Sequence, residues 1–414
     1  MNLDLRIDIS KFYLIDKRRL ALVMLGLGML IAYLGSLHPW FMWPLGELYV
    51  VPAAAFLTVS YLLSNSLPHS FFCRKGVMRA VLLAIICTTM LMVVNEANIK
   101  GMMQLPFAWM IFFTMLRIEN DVLQRLATAI TKTMAVILGV SFFTYILHLI
   151  GFPFPSRPAV FGDKLYSFEN YYFFMVDDHV LMTILPRFSS IFLEPGHVGT
   201  ATTLLLMTQL GRWKKWYNVI LIIITAVTFS LAAYANLIAL IFLNAWVQRK
   251  HIVGKAIAAI VFLASVVGIS MNYNDGNNII NQLILLRLEV DDTTGDIAGN
   301  NRVTANFEEE FNSYMSSSDI LFGRDMSKVG DDTGNSGYRV FLYENGLVCT
   351  FLVLLLYIFA LSGYKDWRAL TCSIILALLI FIVRGYPLWY SNFLPILAAA
   401  HTTRFLRPGP TPLP

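Results

Sequence analysis

Apolar runs recur along almost the whole chain, each about as long as a helix must be to cross a bilayer. A spanning helix takes about 20 mostly apolar residues, with a range of about 17–25. Such runs lie near 20–36, 45–63, 78–95, 102–117, 127–150 and 194–210, then as a closely spaced pair at 217–231 and 233–248. They continue at 254–271, 340–362, 369–385 and 388–403. The expectation is an all-α, polytopic membrane protein, one integral membrane domain over 1–414 with about twelve transmembrane helices. The fourth, seventh, eighth and last runs are short or polar enough to leave ten or eleven crossings open. Composition agrees: 57% of the residues are hydrophobic and 14% charged, against about 45–50% and about 25% in a soluble domain. A soluble enzyme, a disulfide scaffold and a disordered chain are excluded.

The distribution of charge indicates orientation. Lysine and arginine total 31 against 26 acidic residues, but they are unevenly placed. Arg6, Lys11, Lys17, Arg18 and Arg19 precede the first run. Arg74, Lys75 and Arg79, Arg117, Arg125 and Lys132, and Arg212, Lys214 and Lys215 fall in alternate connections. Arg249, Lys250 and Lys255, Lys365 and Arg368, and Arg404 and Arg407 continue the pattern, while most acidic residues lie on the other side. Basic loops face the cytoplasm, so both termini are expected there. Residues 1–19 do not read as a cleavable signal peptide, because the apolar run that follows is too long. Cys73, Cys87, Cys349 and Cys372 sit in apolar or membrane-edge segments without metal-ligand spacing and read as small buried hydrophobes.

Two outer connections, 152–193 and 272–339, are far longer than the rest, and loops of that length tend to be functional. Short helices are expected within the second, at 279–290 and 303–315. The first loop ends in PRFSSIFLEPGHVGTA, which brings Arg187, Glu194 and His197 close together in sequence as the chain enters a helix. Pro195 suits a first helical turn, where its missing N–H costs nothing, and Glu194 suits the positive end of the helix dipole. A capping carboxylate and an interfacial arginine are the plain alternative to a functional role. In the second loop stand Arg302, Arg324, Asp331 and Asp332, then Asn335, Ser336, Tyr338 and Arg339 ahead of the next helix. Guanidinium groups facing Glu194's compartment match phosphate in geometry. The run Glu308, Glu309 and Glu310 reads as a solvated helix face. Asp291, Asp292 and Asp296 lack the alternation of a calcium loop. Among the spans, Glu47, Glu96, Lys132 and Arg384 fall near helix ends and His148 reads as structural. Midplane carboxylates of the kind a proton-coupled pump needs are not obvious. No Walker, GxGxxG or HExxH motif occurs, so no cofactor, metal or nucleic-acid partner is expected.

Three segments resemble the O-antigen polymerase and ligase superfamily of bacterial envelope enzymes. They are RFSSIFLEPGHVG entering a helix, VTFSLAAYANLIAL joining two short helices, and ILFGRD followed by NSGYRVFLYENGLV after the largest loop. The resemblance implies a helical glycosyltransferase of the C type in the bacterial inner membrane, with two long periplasmic loops and a periplasmic active site. Its donor would be an oligosaccharide repeat on undecaprenyl pyrophosphate, and its partners membrane lipid, a chain-length regulator and a flippase. Ligases carry a histidine followed by asparagine where this chain has Asn335 and Ser336, and the FLEPGH segment is similar to the polymerase branch. Polymerase is therefore favoured, with ligase and lipid-linked-sugar transporter as alternatives. In that reading Arg187, Arg302, Arg339 and Arg324 would hold the pyrophosphate, and Glu194 would be the base with His197 as orienting partner or alternative base. Asn335 and Tyr338 would contact the substrate.

Overall fold

Helices occupy each of the twelve apolar runs in the computed structural model. It describes residues 16–72, 74, 76–94, 99–162, 166–177, 186–248, 252–278, 280–286, 305–326, 337–362 and 367–400. The helices are α1 (Lys17–Gly35), α2 (Val50–Asn65), α3 (Met78–Val94), α4 (Ile99–Arg117), α5 (Asn120–Leu149), α6 (Pro195–Thr208) and α7 (Trp216–Val227). They continue with α8 (Leu231–Gln248), α9 (Ile252–Asn272), α10 (Ala305–Met315), α11 (Tyr338–Ala360), α12 (Trp367–Val383) and α13 (Tyr390–Ala399). Among the described residues four helices are long and apolar enough to cross a membrane: Lys17–Gly35, Trp40–Asn65, Asn120–Leu149 and Tyr338–Ala360. Shorter apolar helices accompany them, which is compatible with a membrane protein.

The chain is mostly helical, but it is not all-α. The first long connection carries a three-stranded antiparallel sheet, β1 (Arg157–Phe161), β2 (Tyr166–Asn170) and β3 (Met175–Asp177). Its register pairs Arg157 with Asn170 and Phe168 with Asp177. The strands are three to five residues long, too short for the hydropathy of helix-length windows to register. Phe168, Met175 and Leu193 form a small core under the sheet, with Trp40 and Trp43 packed against it. Among the described residues, the second long connection carries α10 at Ala305–Met315, within the expected 303–315, and a π turn at Asn281–Leu285, within the expected 279–290.

Packing explains why two helices are so short. Every residue of α13 is buried, and so is every residue of α6 except Pro195. A helix enclosed on all faces need not match the bilayer thickness, because neighbouring helices, not lipid, set its length. Polar side chains join these helices to their neighbours: Gln124 of α5 donates to the Thr208 carbonyl at 2.8 Å, and Thr202 and Thr225 hydroxyls meet at 2.8 Å. Small residues allow close approach elsewhere, and Ser60 of α2 donates to the Ala21 carbonyl of α1 at 2.7 Å. Helices α7 and α8 meet at a break, Thr228–Ser230, beside the first turn of α6.

Candidate functional site

The site lies where the N-termini of the two enclosed helices converge under the sheet. Glu194 stands in extended conformation just ahead of α6, and its side chain makes no capping bond to its own helix. It turns instead to Arg384, which follows α12, and accepts a hydrogen bond from Nη1 on Oε2 at 2.8 Å. Tyr166 of β2 donates to the other carboxylate oxygen at 3.1 Å, and His197 Nε2 lies 3.8 Å from Oε2. Arg384 and His197 are each 6% exposed, whereas the Glu194 side chain retains 27% of its surface.

Burial alone would raise the pKa of Glu194. The Arg384 guanidinium, then His197 and the hydrogen bonds from Arg384 and Tyr166, outweigh that effect and hold the carboxyl well below its ordinary range. Glu194 is therefore a carboxylate at neutral pH. Burial, and then the facing Glu194 charge, push the Tyr166 phenol well above its usual value, so it remains a donor.

Aromatic rings surround the cluster. Trp389, the residue that starts α13, meets His197 edge-on at 5.1 Å and His38 at 5.2 Å, and stacks on Tyr386 at 4.3 Å. His38 also faces Phe161 of β1 at 5.7 Å and lies 3.7 Å from Glu47. The segment holding His38 is tied to the one ahead of α6 by a bridge between Pro39 and Phe192, with Trp40 N donating to the Ile191 carbonyl. His38 and Ser190, on either side of this bridge, both take left-handed φ. Such backbone costs about 1–3 kcal/mol per residue and collects at functional sites.

Of the residues singled out from sequence, Glu194 and His197 belong to this cluster. The Nε of Arg187 bonds outside this cluster, donating to the Thr228 carbonyl at 3.3 Å, at the α7–α8 break where Phe229 also has left-handed φ. Arg324 is engaged elsewhere: Nε donates to Asp319 at 2.7 Å and Nη1 to Glu310 at 2.8 Å, while Tyr343 also donates to Glu310. That fork joins α10 to α11, so Glu310 is a structural partner and not part of a solvated face. Arg339 meets Glu308 at 3.5 Å, Tyr338 beside it is exposed, and the adjacent Gly337 backbone approaches Gly385, next to Arg384. Arg302 and Asn335 lie outside the described residues, as do Cys73, Glu96, Asp291, Asp292, Asp296, Asp331 and Asp332. His148 is half-buried and packs on Tyr171 at 4.4 Å.

Arg384, Tyr166, His38 and Trp389 are what the sequence reading missed. One signal was present: a lone arginine ending an apolar run is a functional candidate by default. Among the described residues no group of three or more His, Cys, Asp or Glu side chains is arranged to hold a metal ion. The site therefore offers an ionised carboxylate, a guanidinium with buried donors, an imidazole and stacking surfaces. No protein-family model, curated protein or solved structure matches the chain.

Proposed function

We propose that this chain is a membrane glycosyltransferase of about twelve spans, both termini cytoplasmic, that joins lipid-linked oligosaccharide repeats into a surface polysaccharide. The observation that carries the reading is the cluster of Glu194, Arg384, His197 and Tyr166 at the head of an enclosed helix. The donor would be an oligosaccharide on undecaprenyl pyrophosphate. With so good a leaving group, transfer needs positioning, charge stabilisation and a base. Arg384 and the converging N-termini of α6 and α13 supply positive potential for the pyrophosphate. Glu194 takes the acceptor hydroxyl's proton, His197 orients it, and the rings of Trp389 and Tyr386 suit the apolar faces of sugars. Arg187, Arg339 and the outer Tyr338 fit the rim, where a long glycan must pass, while Arg324 serves the fold.

A transporter is the second reading, favoured by one feature. Helix α11 is broken at Gly346, which has left-handed φ, two residues beyond Glu344. Broken helices and intramembrane carboxylates mark transport sites. Here, however, the break is covered: the Leu321 carbonyl lies against Gly346, and Gly323 against the Glu344 carbonyl. Irregular backbone buried by protein in this way needs no transport role.

Incubation of the purified protein in lipid nanodiscs with undecaprenyl-pyrophosphate-linked repeats, followed by glycan sizing, tests the proposal. A ladder of products is expected. Elongation absent, with transfer to lipid A-core present, would make the protein a ligase; substrate movement without new glycosidic bonds would make it a transporter.

A further inference from the structure

The Glu194–Arg384 pair poses a difficulty for catalysis that its surroundings resolve. A carboxylate bound at 2.8 Å to a buried guanidinium is a weak base, yet the reaction needs a proton acceptor there. Arg384 is 6% exposed, and among the described residues its buried Nε has no hydrogen-bond partner. A buried unpaired donor costs free energy, and this one lies at the N-terminus of α6, where an anion is favoured. The guanidinium also presses against Gly196, where a Cβ would overlap Nη2. Glu194 is the more exposed partner and the one with room to move.

From this geometry we infer that the Glu194–Arg384 ion pair is the resting position of a donor-operated switch. The pyrophosphate of the lipid-linked donor takes Arg384 from Glu194, and the released carboxylate becomes the base. This rests on the glycosyltransferase reading. In the step that follows, the acceptor oxygen bonds to the anomeric carbon as the bond from that carbon to the pyrophosphate oxygen breaks. The electron pair leaves on undecaprenyl pyrophosphate, whose charge Arg384 holds, and the hydroxyl proton passes to Glu194. The charged and titratable groups around Glu194 are Arg384 after α12, His197 in α6 and Tyr166 in β2, with His38 and Glu47 behind them. Loss of Arg384 to the donor and arrival of the donor's negative charge both make Glu194 more basic. Acceptor activation thereby waits for the donor.

Binding of undecaprenyl pyrophosphate to the protein in nanodiscs, alongside inorganic pyrophosphate, is the first test. Glu194 acts as a built-in competitor, and if it occupies Arg384 about nine-tenths of the time, Glu194→Gln should bind the lipid about 10-fold more tightly. The same variant should elongate at least about 100-fold more slowly. Arg384→Gln should weaken binding about 10-fold or more. Unchanged or weaker lipid binding by Glu194→Gln, or tightening for inorganic pyrophosphate alone, would overturn the switch. The wild-type protein provides a second measurement that needs no variant. The acid limb of kcat, which reports the donor complex, should lie at clearly higher pH than that of kcat/KM for donor, which reports the free enzyme. Coincident limbs refute the inference. Elongation by wild type without tightening in Glu194→Gln leaves the glycosyltransferase reading standing and removes the switch. Tightening without any elongation removes the glycosyltransferase reading, and with it the role of Glu194 as base, and leaves only competition between Glu194 and the lipid for Arg384.

Discussion

Replacing Gly196 by alanine tests the site against the scaffold, because a second glycine three residues on provides the control. At Gly196 the added methyl would overlap Arg384 Nη2, the free end of a long side chain. To restore ordinary contact the guanidinium must retreat by roughly 1.5 Å. That forfeits much of its bond to Glu194, and a hydrogen bond between charged groups is worth about 1.5–3 kcal/mol. Alanine returns up to ~1 kcal/mol through its helix propensity, so the net destabilisation is on the order of 1–2 kcal/mol. Elongation should suffer far more, since a displacement of about 1 Å in a positioned group costs roughly 100-fold in rate. At Gly199 the methyl would meet the Cβ of Ala233 on α8, which moves only if the helices part. Overpacking of that kind costs about 1–3 kcal/mol. The assay is elongation of lipid-linked repeats, together with thermal midpoints measured at one scan rate in one detergent. The two variants should show falls in midpoint of similar size, since alanine's helix propensity offsets part of the cost at both sites, but Gly196→Ala should lose elongation whereas folded Gly199→Ala should retain most of it. Wild-type elongation by Gly196→Ala would refute the assignment of Arg384 to the site.

Tyr166→Phe removes a hydrogen bond to the charged Glu194 carboxylate and should cost about 1.5–3 kcal/mol of stability, with elongation reduced but present; complete loss of activity would mean the phenol acts in the chemistry itself. Arg324→Lys cannot span Asp319 and Glu310 as a fork does, so it should hasten proteolytic nicking within 316–326 while leaving undecaprenyl pyrophosphate binding unchanged. Weakened binding there would restore Arg324 to the donor site. Because the folded protein holds the Glu194 pKa below its unfolded value, its contribution to stability is fully present above about pH 4.3 and is lost as pH falls through the folded value. Thermal midpoints should therefore show an acid limb that Glu194→Gln diminishes, and an identical limb in both proteins would show that Glu194 is not the group responsible.

The helices were legible because each apolar run carries its own signal: about 20 residues that cannot be solvated must satisfy their backbone internally. Glu194 and His197 were legible for a similar reason, since proline, a carboxylate and the start of an apolar run mark a helix entry within a few residues. Arg187 and Arg324 show where that logic stops. Both are arginines in the two long connections, and sequence offers no way to tell a guanidinium that waits for a ligand from one bonded to Thr228 or to Asp319 and Glu310. The three short strands escaped because an alternating pattern three to five residues long is shorter than the windows that reveal helices.

By itself the sequence determined a mostly helical, strongly apolar chain, the sorting of its basic residues, and a charged helix entry at Glu194. Tertiary structure alone decided what Glu194 faces. Arg384 lies 190 residues away, and its arrival depends on α13 packing beside α6 and α12 packing against α13, with Gly196 leaving room for the guanidinium. Apolar burial has no direction and says which residues leave water, but not which helices become neighbours. The site exists because shape complementarity among those helices brings together charges that the linear order keeps far apart.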